Sequence, residues 1–516
     1  MLPGLIKSVA AIAIAGQPAP VAAPDDMAQQ LEWAQDCQPH SGERNEVADW
    51  AIIDAREMTR ADELRAALDK VSDGRRPVIL WGEFPGADMR PLAPRLNGAC
   101  FYQTNLAGSN WDGVRIARLQ MERVSFREAS AKGSIFAGLV TRGTSFAGAD
   151  FSNADLSIMR FVSQYQGANF DGTSFRNARL RGARFYCDIT VDVACYGTPD
   201  FTDADLTSAD ISGLGLWYPD RVAGALLDNT RVSPRSLPAL GGAKIRDGLI
   251  LTHFASVPYL DYDGPPAPTA KINAAEARSL IAATIREVEK REPANASFPC
   301  DKASTQVETI ICGPYDGHLR QLDLRLAAAW SEARGAGKAD IAAQRAWLKQ
   351  RNRCEDRVCI EDAYQTRIAQ ILGATGTGIV IAPDQTFEYS SDVLPLPRSM
   401  HEGQLYSRIV PVLKHTSRQS ITLTGREDGT IAVDGDAIGA NAHLCSLDVP
   451  DARFDAATGW WSATGPDGRL VPIFRIDGDR FIPRYSGNSD TPVEARDFIS
   501  CGARAFFSEG VRLEVN

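Results

Sequence analysis

The sequence has no apolar run that is long enough to cross a bilayer. The run Ser8–Gly16 is far shorter than the ~20 residues that a membrane helix needs. It follows Lys7 and precedes the small residues Val21-Ala22-Ala23, an arrangement typical of a cleaved secretory signal peptide. We therefore predict that residues 1–23 direct export, to the periplasm or beyond the cell. An Ala-rich tail is the alternative interpretation.

Motifs of the common enzyme classes are absent as well. The sequence contains no H-E-x-x-H, no G-x-S-x-G, no phosphate-binding loop and no dinucleotide fingerprint. We predict a protein that is not an enzyme and takes no cofactor; only a site assembled between domains would make it one. The histidines are too far apart in sequence for a metal site: His40, His253, His318, His401, His415 and His443.

The cysteines include no C-x-x-C pair. Zinc ligands would need close Cys/His pairs, and Cys354 and Cys359, the nearest candidates, have no histidine near them. An even number without such motifs favours structural disulfides in an oxidising compartment. The ten cysteines fall into local groups: Cys37 with Cys100, Cys187 with Cys195, the quartet Cys300, Cys312, Cys354 and Cys359, and Cys445 with Cys501.

The centre of the chain repeats every five residues. Neither a helix nor a flat strand keeps residues of that spacing on one side. A four-sided coil does, because each five-residue side points one large and one small residue inward, and coils stack ~4.8 Å apart. Large residues recur from Phe101 at Leu106, Trp111, Ile116, Met121, Phe126, Phe136, Phe146, Phe151, Leu156 and Phe161, and small ones lie two places earlier.

Ser145–Leu156, Ala168-Asn169-Phe170 and Ala204-Asp205-Leu206 carry A-(D/N)-L-x-x. This segment resembles the pentapeptide-repeat family over residues 99–218, which implies a right-handed quadrilateral β-helix. Some family members mimic DNA, but residues 99–218 hold 11 bases and 12 acids, a net charge of 11 − 12 = −1. We therefore expect no nucleic-acid mimicry and no nucleic-acid partner.

Two phase slips interrupt the repeat, at 162–167 and 186–198. Insertions in a solenoid loop out from one face, and we predict that Cys187–Cys195 closes the second as a stapled corner; a binding loop is the alternative. Residues before Phe101 should cap the open coil, with a helix starting near Thr59, a strand at 77–81, and Cys37–Cys100 as the tie.

After a Pro-rich linker and a helix at 274–290, apolar residues at helical spacing predict a helical hairpin over residues 298–372. Gly335-Ala336-Gly337 separates its two helices. In an antiparallel hairpin nested links fit best, so we favour Cys312–Cys354 and Cys300–Cys359. Trp347 and Tyr364 are predicted to be core, and Glu308, Asp323, Arg351 and Arg367 to form surface or bridging ion pairs.

The ordered cysteines, with Gln344-x-x-Trp347-Leu348-x-x-Arg351 and Tyr364-x-x-Arg367, resemble the lysozyme-inhibitor LprI-type N-terminal domain. The resemblance implies an envelope protein that binds a protein partner, with a lysozyme or other muramidase as the candidate. An inhibitor must plug the cleft of a lysozyme or meet its two carboxylates with cations. The bases around the second helix are the candidate contacts: Arg345, Lys349, Arg351, Arg353 and Arg357.

The last segment has strand character. Ser420–Thr424 alternates, and Pro466-Asp467-Gly468 is a good hairpin turn between two strands. Trp460 and Trp461 should point to opposite faces of their strand, so that one can be core and the other exposed. An exposed tryptophan would serve to bind a glycan or a partner, but core packing is the favoured interpretation.

We therefore predict a multidomain α+β protein: a β-helix scaffold that displays a disulfide-stapled helical hairpin and a small C-terminal β domain for protein or glycan binding. Direct lysozyme inhibition is the alternative. The predicted divisions are 1–23 signal peptide, 24–98 N-terminal cap, 99–218 β-helix, 219–297 C-terminal cap, linker and helix, 298–372 helical hairpin, 373–399 linker and 400–516 β domain.

Overall fold

A computed structural model provides the coordinates of the protein. Over the residues that it describes, no helix is both long enough and apolar enough to traverse a bilayer. The predicted signal peptide, Cys37, Cys195 and most of both predicted insertions lie outside those residues. The described residues are 50–72, 74–163, 169–187, 197, 199–214, 216, 218–252, 268–291, 293–313, 317–375, 381–391, 396–401, 403–438, 443–487, 491–502 and 505–513.

The five-residue repeat forms the four-sided coil that the sequence predicts. Asn105, Ser125 and Ser145 make one row of parallel bridges, so successive coils are 20 residues apart, and three more rows follow at five-residue intervals. One side is regular enough to form a parallel sheet in the order β1-β2-β3-β5-β7-β8-β9. The strands are β1 Trp50–Asp54, β2 Arg76–Leu80, β3 Cys100–Tyr102, β4 Arg115–Ala117, β5 Gln120–Glu122, β6 Ile135–Ala137, β7 Val140–Arg142, β8 Arg160–Ser163 and β9 Arg184–Cys187.

Phenylalanine rings fill the coil in stacks along its axis. Phe146 lies parallel to Phe170 with ring centroids 5.7 Å apart, and Phe151 lies parallel to Phe175 at 5.3 Å. All four rings are completely buried or nearly so. The inward direction of the large residues is thereby confirmed. Burial of each ring removes ~150–250 Å² from water, so these stacks dominate the stability of the coil.

The small residue of each repeat also points inward. Where it carries a hydroxyl, the group is buried and finds a partner: Ser109 donates to the carbonyl of Leu106 and accepts from Trp111 Nε1 at 2.7 Å. Thr173 donates to the carbonyl of Phe146 at 2.8 Å, across to the preceding coil. The interior therefore contains polar atoms without the cost of leaving them unsatisfied.

The coil is longer than the predicted segment 99–218. Glu83 already bridges to Asn105, and Leu226 still bridges to Lys244. The outer coils lack the A-(D/N)-L signature, but their centres remain apolar, as at Phe84, which is fully buried. The predicted N-terminal strand (77–81) is β2, and the helix near Thr59 is α1, Ala61–Leu68. Its first turn is capped by the Glu63 carboxylate and not by the Thr59 hydroxyl.

Two helices from distant parts of the chain close the C-terminal end of the coil. Strands β10 Thr230–Val232, β11 Gly248–Thr252 and β12 Thr269–Asn273 form a small sheet there, and helix α2, Ala274–Arg291, packs beside it. Helix α7, Gln404–Thr416, belongs in sequence to the last domain but packs its apolar side into the same core. Its buried contributors are Tyr406, Ile409, Val410, Val412 and Leu413.

The C-terminal β domain is a closed antiparallel barrel. The strand order is β15-β14-β13-β21-β19-β18-β17-β16, and β16 pairs back with β15 to complete the ring. β13 lies inside the predicted linker 373–399. The short β20 pairs with β16, and the Cys445–Cys501 disulfide joins the two. The strands are β13 Thr386–Ser390, β14 Gln419–Gly425, β15 Ile431–Ile438, β16 Leu444–Asp455, β17 Trp460–Thr464, β18 Leu470–Asp477, β19 Arg480–Pro483, β20 Ile499–Cys501 and β21 Gly510–Leu513.

Four helices lie between the coil and the barrel in sequence: α3 Gln306–Ile311, α4 Gly317–Gly335, α5 Ile341–Arg351 and α6 Arg357–Thr375. We call them the helical unit. They replace the predicted two-helix hairpin, because the second predicted helix is broken between 351 and 357.

Candidate partner-binding surface

Helices α4 and α6 of the helical unit run in the same direction. His318, at the start of α4, bonds Glu361 near the start of α6, and Asp323 one turn further on bonds Tyr364. Helix α5 runs the opposite way, because Arg351 at its end meets Tyr364 while Gln344 near its start meets Arg367. The unit is therefore an up-down-up arrangement preceded by the short α3.

This arrangement changes the cysteine pairing from the nested links that the sequence favours. Cys300 bonds Cys312 across α3, and Cys354 bonds Cys359 across the turn between α5 and α6. The nested pairing assumed one continuous second helix. Because the chain turns back between Cys354 and Cys359, their Cα atoms come within 5.4 Å, which suits a direct disulfide.

A hydrogen-bonded chain of side chains crosses the interior of the unit. Tyr364 Oη donates to Asp323 Oδ1 at 2.6 Å, and Arg351 Nη1 donates to Tyr364 Oη at 2.8 Å. The backbone N–H of Ser297 donates to the other Asp323 oxygen at 2.7 Å. Burial and the neighbouring Asp323 carboxylate raise the pKa of Tyr364 above its usual range, so the phenol stays protonated.

The remaining motif residues join the same interior. Trp347 Nε1 donates to the carbonyl of Ala363 at 3.0 Å, and its ring meets Tyr364 edge-on at 5.2 Å. Arg367 Nε donates to Gln344 Oε1 at 2.8 Å. Gln344-x-x-Trp347-x-x-x-Arg351 is therefore a packing motif: it holds α5 against α6.

Three predicted surface groups are buried. Asp323, Arg351 and Arg367 are each less than a tenth exposed, so the surface alternative of the prediction is wrong. They bridge helices instead, through Tyr364 and Gln344 and not as direct ion pairs. Arg351 is consequently unavailable to a partner. The sequence does not reveal this burial, because a buried network of charged residues contains the same residue types as a set of ion pairs on the surface. Glu308 is exposed in part and closes a capping box with Thr305 at the start of α3.

The outward side of α5 is basic. Arg345 and Lys349 are one turn apart and exposed, and Arg353 follows in the turn after the helix. None of these three, which we call the basic face, forms an ion pair with another residue that the structure describes. Arg357, at the first position of α6, is exposed as well.

The acids of the helical unit are used elsewhere, although the segment is almost neutral in total. Those that the structure describes with partners serve as helix caps, buried bonds or ion pairs. They are Glu308 and Asp340 and Asp356 at helix starts, Asp323 in the interior, Glu361 with His318, and Asp362 with Arg484. None of these acids forms an ion pair with the basic face, and Glu355, two residues from Arg353, is exposed in the same turn.

Apolar side chains border the basic face. Val358 is 76% exposed at the start of α6, and Ile341 is 59% exposed at the start of α5. Leu348, within α5, is also exposed. Exposed apolar side chains beside several cationic side chains are typical of surfaces that bind other macromolecules.

The barrel holds the helical unit through a charged contact. Glu509, beside β21, pairs with Arg325 of α4 and with Arg480 of β19. Burial alone would raise the pKa of Glu509, but the two guanidinium groups outweigh it and lower the pKa to about 2. Arg484 pairs with Asp362 of α6 at 2.8 Å.

Trp460 lies at this contact. The guanidinium groups of Arg475 and Arg484 each lie 5.3 Å from its ring centre, and Arg475 also donates to the carbonyl of Gln365 in α6. Trp460 is 5% and Trp461 6% exposed, so neither tryptophan is available to a glycan, contrary to the prediction for one of them. Trp461 packs inside the barrel and Trp460 beneath the helical unit.

Within the described part of the chain no group of His, Cys, Asp and Glu is arranged to hold a metal ion. Cys100 is disulfide-bonded, and its predicted partner Cys37 lies outside the described residues. Cys187 is the last residue of β9, and its predicted partner Cys195 also lies outside the described residues.

Comparison with known families identifies the coil. Residues 125–157 and 165–186 match the family model described as pentapeptide repeats, in eight copies. The chain contains pentapeptide repeats. Similar solved structures include the pentapeptide-repeat protein Rfr23 of the cyanobacterium Cyanothece 51142, with 15% identity, 26% of this chain and 81% of that chain covered, and a TM-score of 0.16. A second is QnrB1, a plasmid-mediated fluoroquinolone resistance protein, with 16% identity, 30% and 70% covered, and a TM-score of 0.18.

Part of the chain is also similar to the lipoprotein LprI. It is 34% identical over 84 residues to LprI of Mycobacterium tuberculosis and of Mycobacterium bovis. The match covers 15% of this chain and 42% of those relatives, so the chain spans less than half of their length. The match supports the resemblance of the helical unit to the LprI-type domain.

Proposed function

We propose that this protein is an exported, non-enzymatic binding protein of the cell envelope, periplasmic or secreted. The pentapeptide-repeat coil is the scaffold, and the basic face of α5 contacts a protein partner. The observation that carries the proposal is the basic face itself: Arg345, Lys349 and Arg353 are exposed, without an ion pair among the described residues, and lie on or beside a helix that a buried network fixes in place.

The partner that fits this surface is a protein with an acidic patch. Uncompensated cations accelerate association with an opposite charge and disfavour basic partners. Val358 and Leu348 would add apolar contact area at the edge of the same surface. Similarity to a lipoprotein and the disulfides both support a location outside the cytoplasm.

Charge reversal tests the proposal. R345E/K349E/R353E inverts the basic face. R115E/R127E/R246E makes the same charge change at exposed arginines of the coil that form no ion pair with a residue that the structure describes. With immobilised full-length protein and an envelope extract, the wild type and the control should retain the same partner in a salt-sensitive way. The basic-face variant should lose it. Identical capture by all three proteins would reject the basic face as the contact.

Direct inhibition of a lysozyme is the second candidate. It is favoured by the similarity to the LprI-type domain and by cations that could meet the two carboxylates of a muramidase cleft. A lysozyme activity assay with increasing amounts of the full chain decides it. Full activity at saturating protein would remove this candidate and leave the general binding role to the capture experiment.

A further inference from the structure

An exposed tryptophan occupies a corner of the pentapeptide-repeat coil at its N-terminal end. Trp81 follows β2 and has φ 58°, in the left-handed region. The same corner in the next three coils holds Gln103, Arg123 and Gly143, also with positive φ. Backbone bonds connect these positions from coil to coil, starting with the N–H of Trp81 and the carbonyl of Tyr102. The geometry of the corner therefore imposes the left-handed conformation.

Trp81 is the one bulky apolar side chain among these four corner residues. A bulky side chain is rarely found at positive φ, whereas glycine accepts it without strain, as Gly143 illustrates. Burial does not compensate, because Trp81 is 38% exposed. Positive φ itself is common in this coil, as at Arg118 and Ile158, so the exposed aromatic ring and not the backbone conformation distinguishes Trp81.

The surroundings orient the indole ring. Its Nε1 donates to Gln103 Oε1 at 2.9 Å, and the Arg56 guanidinium lies 5.0 Å from the ring centre. The Asp54 carboxylate in turn accepts hydrogen bonds from the backbone N–H and from Nε of Arg56. On the adjoining side of the corner, Asn105 Nδ2 donates to Glu83 at 2.8 Å.

We propose that Trp81, with Gln103 and Arg56 against its ring and Glu83 two residues further along the chain, is a subsite for a saccharide. A flat apolar ring bordered by planar amide, guanidinium and carboxylate groups matches a sugar, which presents C–H groups on its faces and hydroxyls around its edge. Arg56 already occupies the cation position over the ring, so the ring does not recruit a cationic ligand.

Local charge argues against an anionic polymer. Asp54 and Glu83 are negative and Arg56 is positive, so the immediate surroundings carry no excess of positive charge. The subsite lies on the coil, and the basic face lies on α5. The two proposals therefore rest on different residues and fail separately.

Titration of the full chain with chitohexaose, cellohexaose and maltohexaose tests the subsite, with calorimetry and tryptophan fluorescence as readouts. Wild type and the control Y218A, which removes another exposed aromatic of the coil region, should bind at least one sugar with a Kd of ~1 mM or tighter. W81G and W81N should bind it at least tenfold more weakly. Because both residues tolerate positive φ, neither variant should melt at a lower temperature than wild type.

Two results would overturn the subsite. One is the absence of binding of all three oligosaccharides to wild type at this affinity. The other is undiminished binding by both W81G and W81N, which would place the sugar elsewhere.

Discussion

The phenol of Tyr364 donates a 2.6 Å hydrogen bond to the carboxylate of Asp323 and so joins α6 to α4 in the interior of the helical unit. The same oxygen accepts from Arg351 of α5. One hydroxyl group therefore connects three helices, and each of its partners is buried.

Removing that hydroxyl should destabilise the helical unit. Y364F leaves a buried carboxylate oxygen of Asp323 and a buried N–H of Arg351 without their partner, a loss of ~1–3 kcal/mol. Urea unfolding followed by circular dichroism measures the change. Y218F, at a tyrosine that is 59% exposed, is the control and should leave the curve unchanged. Equal midpoints for Y364F and wild type would show that the network contributes nothing.

Acid should weaken the contact between the helical unit and the barrel. The pKa of Glu509 falls from 4.5 to about 2 on folding, so its stabilisation is complete above pH ~4.5 and is lost as the pH falls towards 2. A shift of this size corresponds to at most ~3 kcal/mol. Unfolding of E509Q should depend less on pH across that window than unfolding of wild type. E494Q, at an exposed glutamate, should follow wild type.

A cavity in the ring stacks should be costly. F151A deletes a ring that contacts Phe126, Phe146 and Phe175. Core truncations of this kind lower the free energy of unfolding by ~3–5 kcal/mol. F506A removes a phenylalanine of the barrel domain that is 54% exposed, so it should leave the melting temperature almost unchanged. If both variants melted alike, the stacks would not be the core of the coil.

The three disulfides that the structure describes should differ in their effect. A disulfide that closes a longer loop removes more conformational entropy from the unfolded chain and therefore stabilises the fold more. Replacement by serine pairs should lower the free energy of unfolding by ~4 kcal/mol for Cys445–Cys501, ~3 kcal/mol for Cys300–Cys312 and ~2 kcal/mol for Cys354–Cys359. Their sequence separations are 56, 12 and 5. Denaturant unfolding of the three double variants gives the ranking, and a reversed order would contradict the chain-entropy account.

A chain that ends at residue 399 should expose the end of the coil. It lacks α7, whose buried residues, such as Leu413 and Ile409, pack into the core of the coil. We expect the remaining coil to bind an apolar dye and to melt at a lower temperature than in the full chain. A coil that melted unchanged would show that α2 closes the end unaided.

The sequence predicts the coil well because its signal is local and repeated. Phe146 and Phe170 are inward by the five-residue period alone, and the structure has them in one stack. The ends of the coil were missed because Phe84 and Leu227 lie outside the A-(D/N)-L signature although they occupy the same kind of position. A period identifies repeats, but a coil continues wherever apolar centres and backbone bridges persist.

The candidate surface was predicted only in part. Arg345, Lys349 and Arg353 are exposed as the second helix suggested, but Arg351 is buried. Its burial depends on the break between α5 and α6, which turns Tyr364 back towards Arg351, and no Gly or Pro marks that break. Burial of Trp460 was equally hidden, since it results from contact between two domains.

Helix α7 also has a consequence for assembly. A bare terminal coil would offer a row of unpaired strand edges on which another chain could continue the sheet, as happens in fibres. The helix covers that end with Tyr406, Val412 and their neighbours, and Arg408 pins it to Glu276 of α2. The covered C-terminal end of the coil therefore cannot add a further chain by end-to-end stacking.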